Sequence, residues 1–506
     1  MFLQQALRNR SRSSIRLYTY TNYSHLAEVI KRVFFIPLRS EVVSIFTISA
    51  NSNNIIKVKL PTEIKRFCKI LKDSGFQCYL VGGAVRSYIS GIKPSDYDFA
   101  TDALPDQIIS IFKSVIPTGI DHGTVTVRFE GMDLEVTTFR IDGAYTNSRH
   151  PDSIAYSASI YKDLKRRDFT INAMAIDPIT NELIDPQNGK KDLKDKIIRA
   201  IGIPEERFAE DGLRVLRACR FASQLQFTIE EKTLKGMMHE AARLDLISSE
   251  RIRDEITHIL LSEKPSTAFY IMKETGVFKY VIPELLEGVG VMQRGMHKYD
   301  VFEHSIIAAD FAEKNIIIRL AALLHDVGKP KCIGANKDGE PTFYNHDIVS
   351  AKMGEEILIR LKFPKNVIKQ VTHLIKLNMF NYTEDWSDSA VRRFISKAGV
   401  ENIQDLLKLR YADRGGMMGK THQCQTDISL IKRINEILEK ESAFSIKNLD
   451  IDGNILSSKA GIPKGPQMGS VLQFLLDSIL EDPSQNNEEK LIELAKNFYE
   501  ARINIK

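Results

Sequence analysis

Two aspartates one residue apart, Asp96 and Asp98 in KPSDYDFAT, follow the glycine pair of LVGGAVR, and this arrangement restricts the fold more than any other feature of the chain. In a β-strand, residues i and i+2 point to one face. The two carboxylates therefore project side by side, which is unfavourable unless a cation neutralises them. Hard oxygen ligands in this arrangement suit Mg²⁺, which is held by one or two carboxylates together with substrate phosphates. Upstream, Gly82 and Gly83 stand between a strand and a helix start, where bare backbone amides, the helix N-terminus and Arg86 can receive a triphosphate. Glu135, in the strand DLEVTTF, offers a third carboxylate to the same face. A D-x-D alone is usually a surface turn, and a G-G alone is ordinary turn chemistry. Their combination points to a metal–nucleotide site.

The surrounding pattern predicts a helix over Thr62–Ser74 and strands at Cys78–Val81, Tyr97–Thr101, Thr124–Phe129 and Leu134–Phe139, with Gly131 turning the last two. That is a small mixed α/β unit ending near Asp185. From Asp192 onward the periodicity is helical, as in Gly212–Ala222, Arg251–Leu261 and Asp405–Tyr411, with no fixed-period repeat. The fold class expected is α+β, a mixed-sheet head followed by a long helical body.

Hydrophobic residues at 43% and charged residues at 27% are ordinary for a globular protein, and the net charge of +5 permits nucleic-acid binding without requiring it. Five scattered cysteines without a C-x-x-C pair argue against a disulfide framework or a thiolate zinc site. No apolar run approaches the ~18 residues of a membrane span, so no membrane association is expected. Residues 1–55 differ from the rest. Seven basic residues against the single acid Glu28 within Met1–Ser40, interleaved with serines, give the composition of a mitochondrial transit peptide. A disordered basic leader on a cytoplasmic protein is the alternative. No methionine lies between Met1 and Met132, so a start at the next one would remove Asp96 and Asp98.

With these residues in view, LVGGAVRSYISGIKPSDYDFAT resembles the signature of the class II tRNA nucleotidyltransferases, the CCA-adding enzymes, and of the related bacterial poly(A) polymerases. Ser87 stands where the family usually has Asp. The resemblance implies a polymerase-beta-like nucleotidyltransferase head at 60–190, a helical neck at 191–285, an HD body at 286–420 and a tRNA-binding tail at 421–506. It also implies two-metal nucleotidyl transfer, in which Asp96, Asp98 and Glu135 serve in-line attack of an RNA 3′-hydroxyl on an α-phosphate. The partners implied are tRNA, CTP and ATP.

Downstream motifs extend the resemblance. Arg167, Asp168 and Asn172 in KRRDFTINAMAID correspond to a segment holding the nucleotide's sugar and triphosphate, with the Arg167 guanidinium suited to phosphate. In EERFAEDGLRVLRACRF, a continuous helix makes Asp211 and Arg214 i,i+3 neighbours with Arg217 beyond. The residues alone read as a solvated helix with a salt bridge. The family's E-D-x-x-R motif, matched by Glu210, Asp211 and Arg214, implies a protein template whose Asp accepts from a base amino group and whose Arg donates to ring acceptors. Arg217 and Arg220 would then face phosphates. The stretch TTFRIDGAYTNSRHPDSI, with Arg140, Asp142, Tyr145 and Arg149, resembles the loop of members that add the terminal A, although His150 stands where a second Arg is usual. SSERIRDEI fits the last head–neck motif, a helix-stabilising element.

A second centre is legible between residues 290 and 415. His304, the His325–Asp326 pair, His346, His373 and Asp413 resemble the metal-ligating pattern of the HD phosphohydrolases. Neutral imidazoles among carboxylates suit Mn, Ni, Co or Zn better than Mg. A remnant HD fold that only helps to bind tRNA is the alternative. In the tail, Lys464 and nearby glycines fit tRNA backbone contact or a helix cap equally well. Three further readings stay open at this level: a poly(A) polymerase, an enzyme adding only CC or only A, and an HD hydrolase whose head merely binds RNA.

Overall fold

The computed structural model describes residues 59–142, 154–295, 297–420, 425–441 and 443–503. The leader, the loop residues Tyr145, Arg149 and His150, and Cys424 lie outside this set. From Val58 onward the chain is one compact unit, so head, neck, body and tail are consecutive stretches of it.

The head is built on a seven-stranded sheet. Its strands are β1 (Cys78–Val81), β2 (Asp98–Thr101), β3 (Val115–Gly119), β4 (Thr124–Phe129), β5 (Met132–Thr138), β8 (Ala175–Ile176) and β9 (Leu183–Ile184), in the order β3-β4-β5-β2-β1-β8-β9. A separate ribbon pairs β6 (Arg140–Asp142) with β7 (Ile154–Tyr156). Glu130 and Gly131 both take positive φ, the conformation that joins β4 and β5 as a tight hairpin. β2 runs parallel to β5, placing Asp98 directly opposite Glu135. The helix Thr62–Asp73 buries Ile64, Phe67, Cys68 and Leu71, the one-sided stripe expected of a helix against a sheet. Phe67 packs on Phe99 and Phe112, both at 4.9 Å between ring centres. Removing that ring would cost about 3–5 kcal/mol. Behind β1 and β2, Val81 and Ala100 pack with Phe139, Ile160 and Leu164, which fixes the strand that carries Asp98.

One expected helix divides. The EDGLR stretch is not continuous: one helix ends at Glu210, Asp211 takes an extended conformation (φ −146°, ψ 105°), and a new helix begins at Leu213. Apolar spacing runs unbroken across this junction, which is why periodicity alone misreads it.

Beyond the neck, the helices Val301–Phe311, Ile316–Leu324, His346–Arg360 and Ile403–Met418 carry the histidine-rich centre. Gly416 permits the close crossing of the first and last of these. A Cβ there would lie 2.9 Å from both the Ala308 side chain and the His304 carbonyl. Among the described residues, no helix is long and apolar enough to cross a membrane.

Candidate nucleotide site and metal centre

A cavity of about 440 Å³ opens where β1, β2 and β5 meet the neck helix Leu213–Leu225. Its floor holds Gly82, Gly83, Asp98 and Glu135; its walls hold Arg86, Arg167, Asp168, Asn172, Asp211, Arg214, Arg217 and Arg220. All the nucleotide-site residues expected from the sequence line this one cavity except Asp96. That residue is exposed, two positions before the strand, and its carboxylate accepts from the Ser95 hydroxyl at 2.8 Å. Its charge is nonetheless felt at Asp98.

Gly82 is required by its backbone. Its φ is +67°, and a Cβ would stand 3.5 Å from both the Arg167 guanidinium and Asp98 Oδ2. Loss of solvent at the cavity floor pushes the Asp98 carboxyl up; Arg167 opposes the rise and Asp96 adds to it. Glu135 is pushed up by the same desolvation and then by Asp98. Negative charge is thus concentrated beyond what Arg167 offsets. Such a donor set fits a divalent cation, which Asp98 and Glu135, with Asp96 at the rim, would hold.

The wall is ordered by carboxylates paired with its guanidinium groups. Asp168 is buried: Oδ1 accepts from the Phe169 amide (2.8 Å) and the Asn172 amide (3.1 Å), and Oδ2 accepts from Arg217 Nε (2.9 Å) and Nη2 (2.7 Å). Burial alone would raise its pKa, but Arg217 and these hydrogen bonds hold it well below the usual carboxylate range. Its oxygens are therefore committed to positioning Arg217 and Asn172, and the Asn172 side chain also accepts from Arg86. Sequence reasoning missed two further acids. Asp163 pairs with Arg166 (2.8 Å) and Arg167 (3.1 Å), and Glu255 pairs with Arg217 (3.6 Å) and Arg220 (3.1 Å). Arg86, Arg217 and Arg220 gather around the Phe221 ring at 5.2, 5.3 and 4.5 Å.

The salt bridge that an unbroken helix would give between Asp211 and Arg214 is absent among the described residues. Asp211 instead accepts from Arg251 Nη2 at 2.8 Å. Arg214 donates to Glu210, to the Arg207 carbonyl at 2.8 Å and to the Arg166 carbonyl at 3.2 Å.

The second centre also assembles. His304, His325, Asp326 and Asp413 converge: the two imidazole Nε2 atoms stand 3.0 Å apart, and His304 Nε2 lies 3.2 Å from a carboxylate oxygen of each aspartate. His346 Nε2 adds a contact to Asp326 at 3.4 Å. The Nδ1 atoms of His325 and His346 face the carbonyls of Ala322 (2.8 Å) and Phe343 (2.6 Å). With Nδ1–H donated to these carbonyls, Nε2 would be left free to ligate a metal ion, the arrangement of ligating histidines. Lys329 Nζ lies 2.6 Å from Asp326, inside the same centre. His373 does not join: its Nε2 bonds the Ala398 carbonyl at 2.7 Å. His297 stands beside the centre, its ring 5.3 Å from that of His304, although no sequence motif marks it.

Fold and site together define a divalent-metal-dependent nucleotidyltransferase. Residues 78–199 match the poly A polymerase head domain, residues 226–288 the RNA and SrmB-binding site of polymerase A, and residues 343–495 tRNA nucleotidyltransferase domain 2. The CCA-adding enzyme of Ligilactobacillus salivarius (strain UCC118) is 32% identical over 452 residues, spanning 89% of this chain and 100% of that one. The chain belongs to the CCA-adding enzymes, the tRNA nucleotidyltransferases. The crystal structure of the Bacillus stearothermophilus CCA-adding enzyme in complex with CTP superposes with a TM-score of 0.67 at 26% identity, covering 88% of this chain and 98% of that one. The Thermotoga maritima CCA-adding enzyme complexed with tRNA shares the fold at a TM-score of 0.52 and 22% identity, over 87% and 97%.

Proposed function

We propose that the chain completes tRNA 3′ ends with CCA from CTP and ATP, with Asp211 and Arg214 as the base-reading pair. Cytosine and adenine share an amino donor beside a ring-nitrogen acceptor, whereas uracil and guanine present a carbonyl beside an N–H. A carboxylate acceptor next to a guanidinium donor complements the first pair and leaves buried groups unmatched against the second. The observation that carries this reading is the placement of Asp211 and Arg214 on one cavity with Asp98 and Glu135. A nucleotide spanning it puts its base at the neck and its triphosphate near Gly83, Arg86 and Arg167. We assign Mg²⁺ to the Asp98–Glu135 end, where these carboxylates, with Asp96 at the rim, would hold an ion that would supply charge neutralisation for the triphosphate and a lower pKa for the attacking hydroxyl. Arg167, oriented by Asp163, and Arg217, oriented by Asp168, supply the remaining positive charge. The test is product length from a tRNA lacking CCA: three additions with CTP and ATP, against a long A tract from a poly(A) polymerase and one or two additions from a partial enzyme.

A second activity rests on a separate observation, the convergence of His304, His325, Asp326, His346 and Asp413. We assign this centre a Mn, Ni, Co or Zn ion and hydrolysis of phosphomonoesters or cyclic phosphates at RNA ends. Replacing His325 and Asp326 with Ala, and assaying phosphatase and nucleotide addition separately, tests it; loss of neither sinks the catalytic role. On composition alone, we assign residues 1–55 as a mitochondrial targeting leader. A fluorescent protein carrying them that stays in the cytoplasm would overturn this.

A further inference from the structure

We infer that Arg251, on the neck helix Ser249–Leu260 and outside the cavity lining, sets base selectivity by holding Asp211 in its reading orientation. The inference rests on the template reading above and adds a residue to it.

Asp211 sits at the junction between two helices, so no side chain three or four residues along a helix fixes its carboxylate. Two bonds do. Oδ1 accepts from the Leu213 amide at 3.1 Å, and Oδ2 accepts from Arg251 Nη2 at 2.8 Å. The junction backbone is pinned from the same side. A Cβ on Gly212 would stand 2.8 Å from the Arg243 Cβ and 3.0 Å from its backbone. Arg243 belongs to the turn Ala241–Leu246, just ahead of the Arg251 helix. The stretch 241–260 thus packs against the junction backbone and holds the Oδ2 side of the Asp211 carboxylate.

The two halves of the template are held differently. Arg214 is clamped by Glu210, four residues away, and by carbonyls of Arg207 and Arg166. Asp211 depends on a residue 40 positions downstream. Each carboxylate oxygen retains a second lone pair for a base amino group after taking these bonds. Arg251 Nη1, meanwhile, is buried without a partner among the described residues. A guanidinium kept for stability alone would have that donor satisfied, because an unmet buried donor is costly.

The consequence is specific. A pinned carboxylate accepts from the cytosine amino group and repels the carbonyl that uracil places there. Released from Arg251, it turns away and the penalty against uracil falls, while Arg214 and the triphosphate contacts persist. Selectivity is therefore lost before turnover.

The test uses the full-length protein with a tRNA lacking CCA, and compares kcat and KM for CTP and for UTP. In R251A the CTP-to-UTP ratio of kcat/KM falls about 10-fold or more, and kcat with CTP changes less than that ratio. R251K restores charge without the guanidinium fork and recovers the ratio in part. R253A is the control on the same helix; its guanidinium reaches the Lys362 carbonyl at 2.8 Å and leaves the ratio unchanged. D211A marks the floor. If D211A collapses the ratio and R251A does not, Arg251 plays no part in selectivity. If R251A and R253A slow both nucleotides in parallel, the role is structural and the inference fails. If D211A itself keeps the wild-type ratio, the template reading fails and takes this inference with it. Should R251A not fold, R251K decides, a wild-type ratio with D211A collapsed overturning the proposal.

Discussion

The chain gathers carboxylates in two places and treats them in opposite ways. In the head, Asp98 and Glu135 face an open cavity and repel one another, with Arg167 relieving only part of the strain. In the body, His304, His325 and Asp326 are almost wholly buried, and Lys329 pairs with Asp326. The open site leaves room for a triphosphate and an RNA end along with a cation. The buried one gathers donor atoms suited to a metal ion. Unrelieved charge in the first is thus part of its readiness to bind, whereas in the second the carboxylates are paired with imidazoles and Lys329.

The largest effect that could break this contrast is on chemistry. Asp98→Ala lowers nucleotide addition by about 10³-fold, measured as single-turnover extension of a tRNA lacking CCA. Retained activity would remove the head carboxylates from the mechanism. Next is the wall: Asp168→Asn weakens a buried pair with Arg217 and destabilises the protein by about 3 kcal/mol, read from the urea midpoint. An unchanged midpoint would show that this pair is not held as described.

A smaller effect concerns pH in the metal-free protein. The Asp98 and Glu135 carboxyls are raised, so the folded state binds their protons more tightly than the unfolded chain does. Their destabilising effect is absent below the ordinary carboxylate range and complete above the raised values. In EDTA, stability therefore falls as pH rises through that interval, and Asp98→Asn raises Tm by about 1–2 °C above it. A lower Tm for the variant would contradict the crowding. The smallest effect sharpens the comparison from the other side. His325→Ala changes nucleotide addition by less than about 2-fold, since distant independent sites do not couple. A large loss would tie the two centres together.

Much of the catalytic floor was legible in advance, because strand alternation and a glycine turn are local signals. Cys78–Val81 and Thr124–Phe129 form where the pattern puts them, and Asp98 meets Glu135 across a parallel pair. What escaped the sequence is long-range pairing. Arg251 with Asp211, and Glu255 with Arg217 and Arg220, join residues too far apart for any spacing rule. Asp163 lies within four residues of both its partners, yet a charged run gives no sign of which acid is buried. The break at Asp211–Gly212 was hidden because the residues on either side are good helix formers. His373 shows the converse: a histidine in register with a metal-ligand pattern satisfies a helix-end carbonyl instead.

CCA addition is tested most directly by supplying the purified protein with a tRNA lacking CCA, together with Mg²⁺, CTP and ATP, and sequencing the product ends. The expected product carries C, C and A in that order, after which addition arrests, with no product from Asp98→Ala. A tract of A residues, an end that stops at CC, or extension by the Asp98 variant would contradict it.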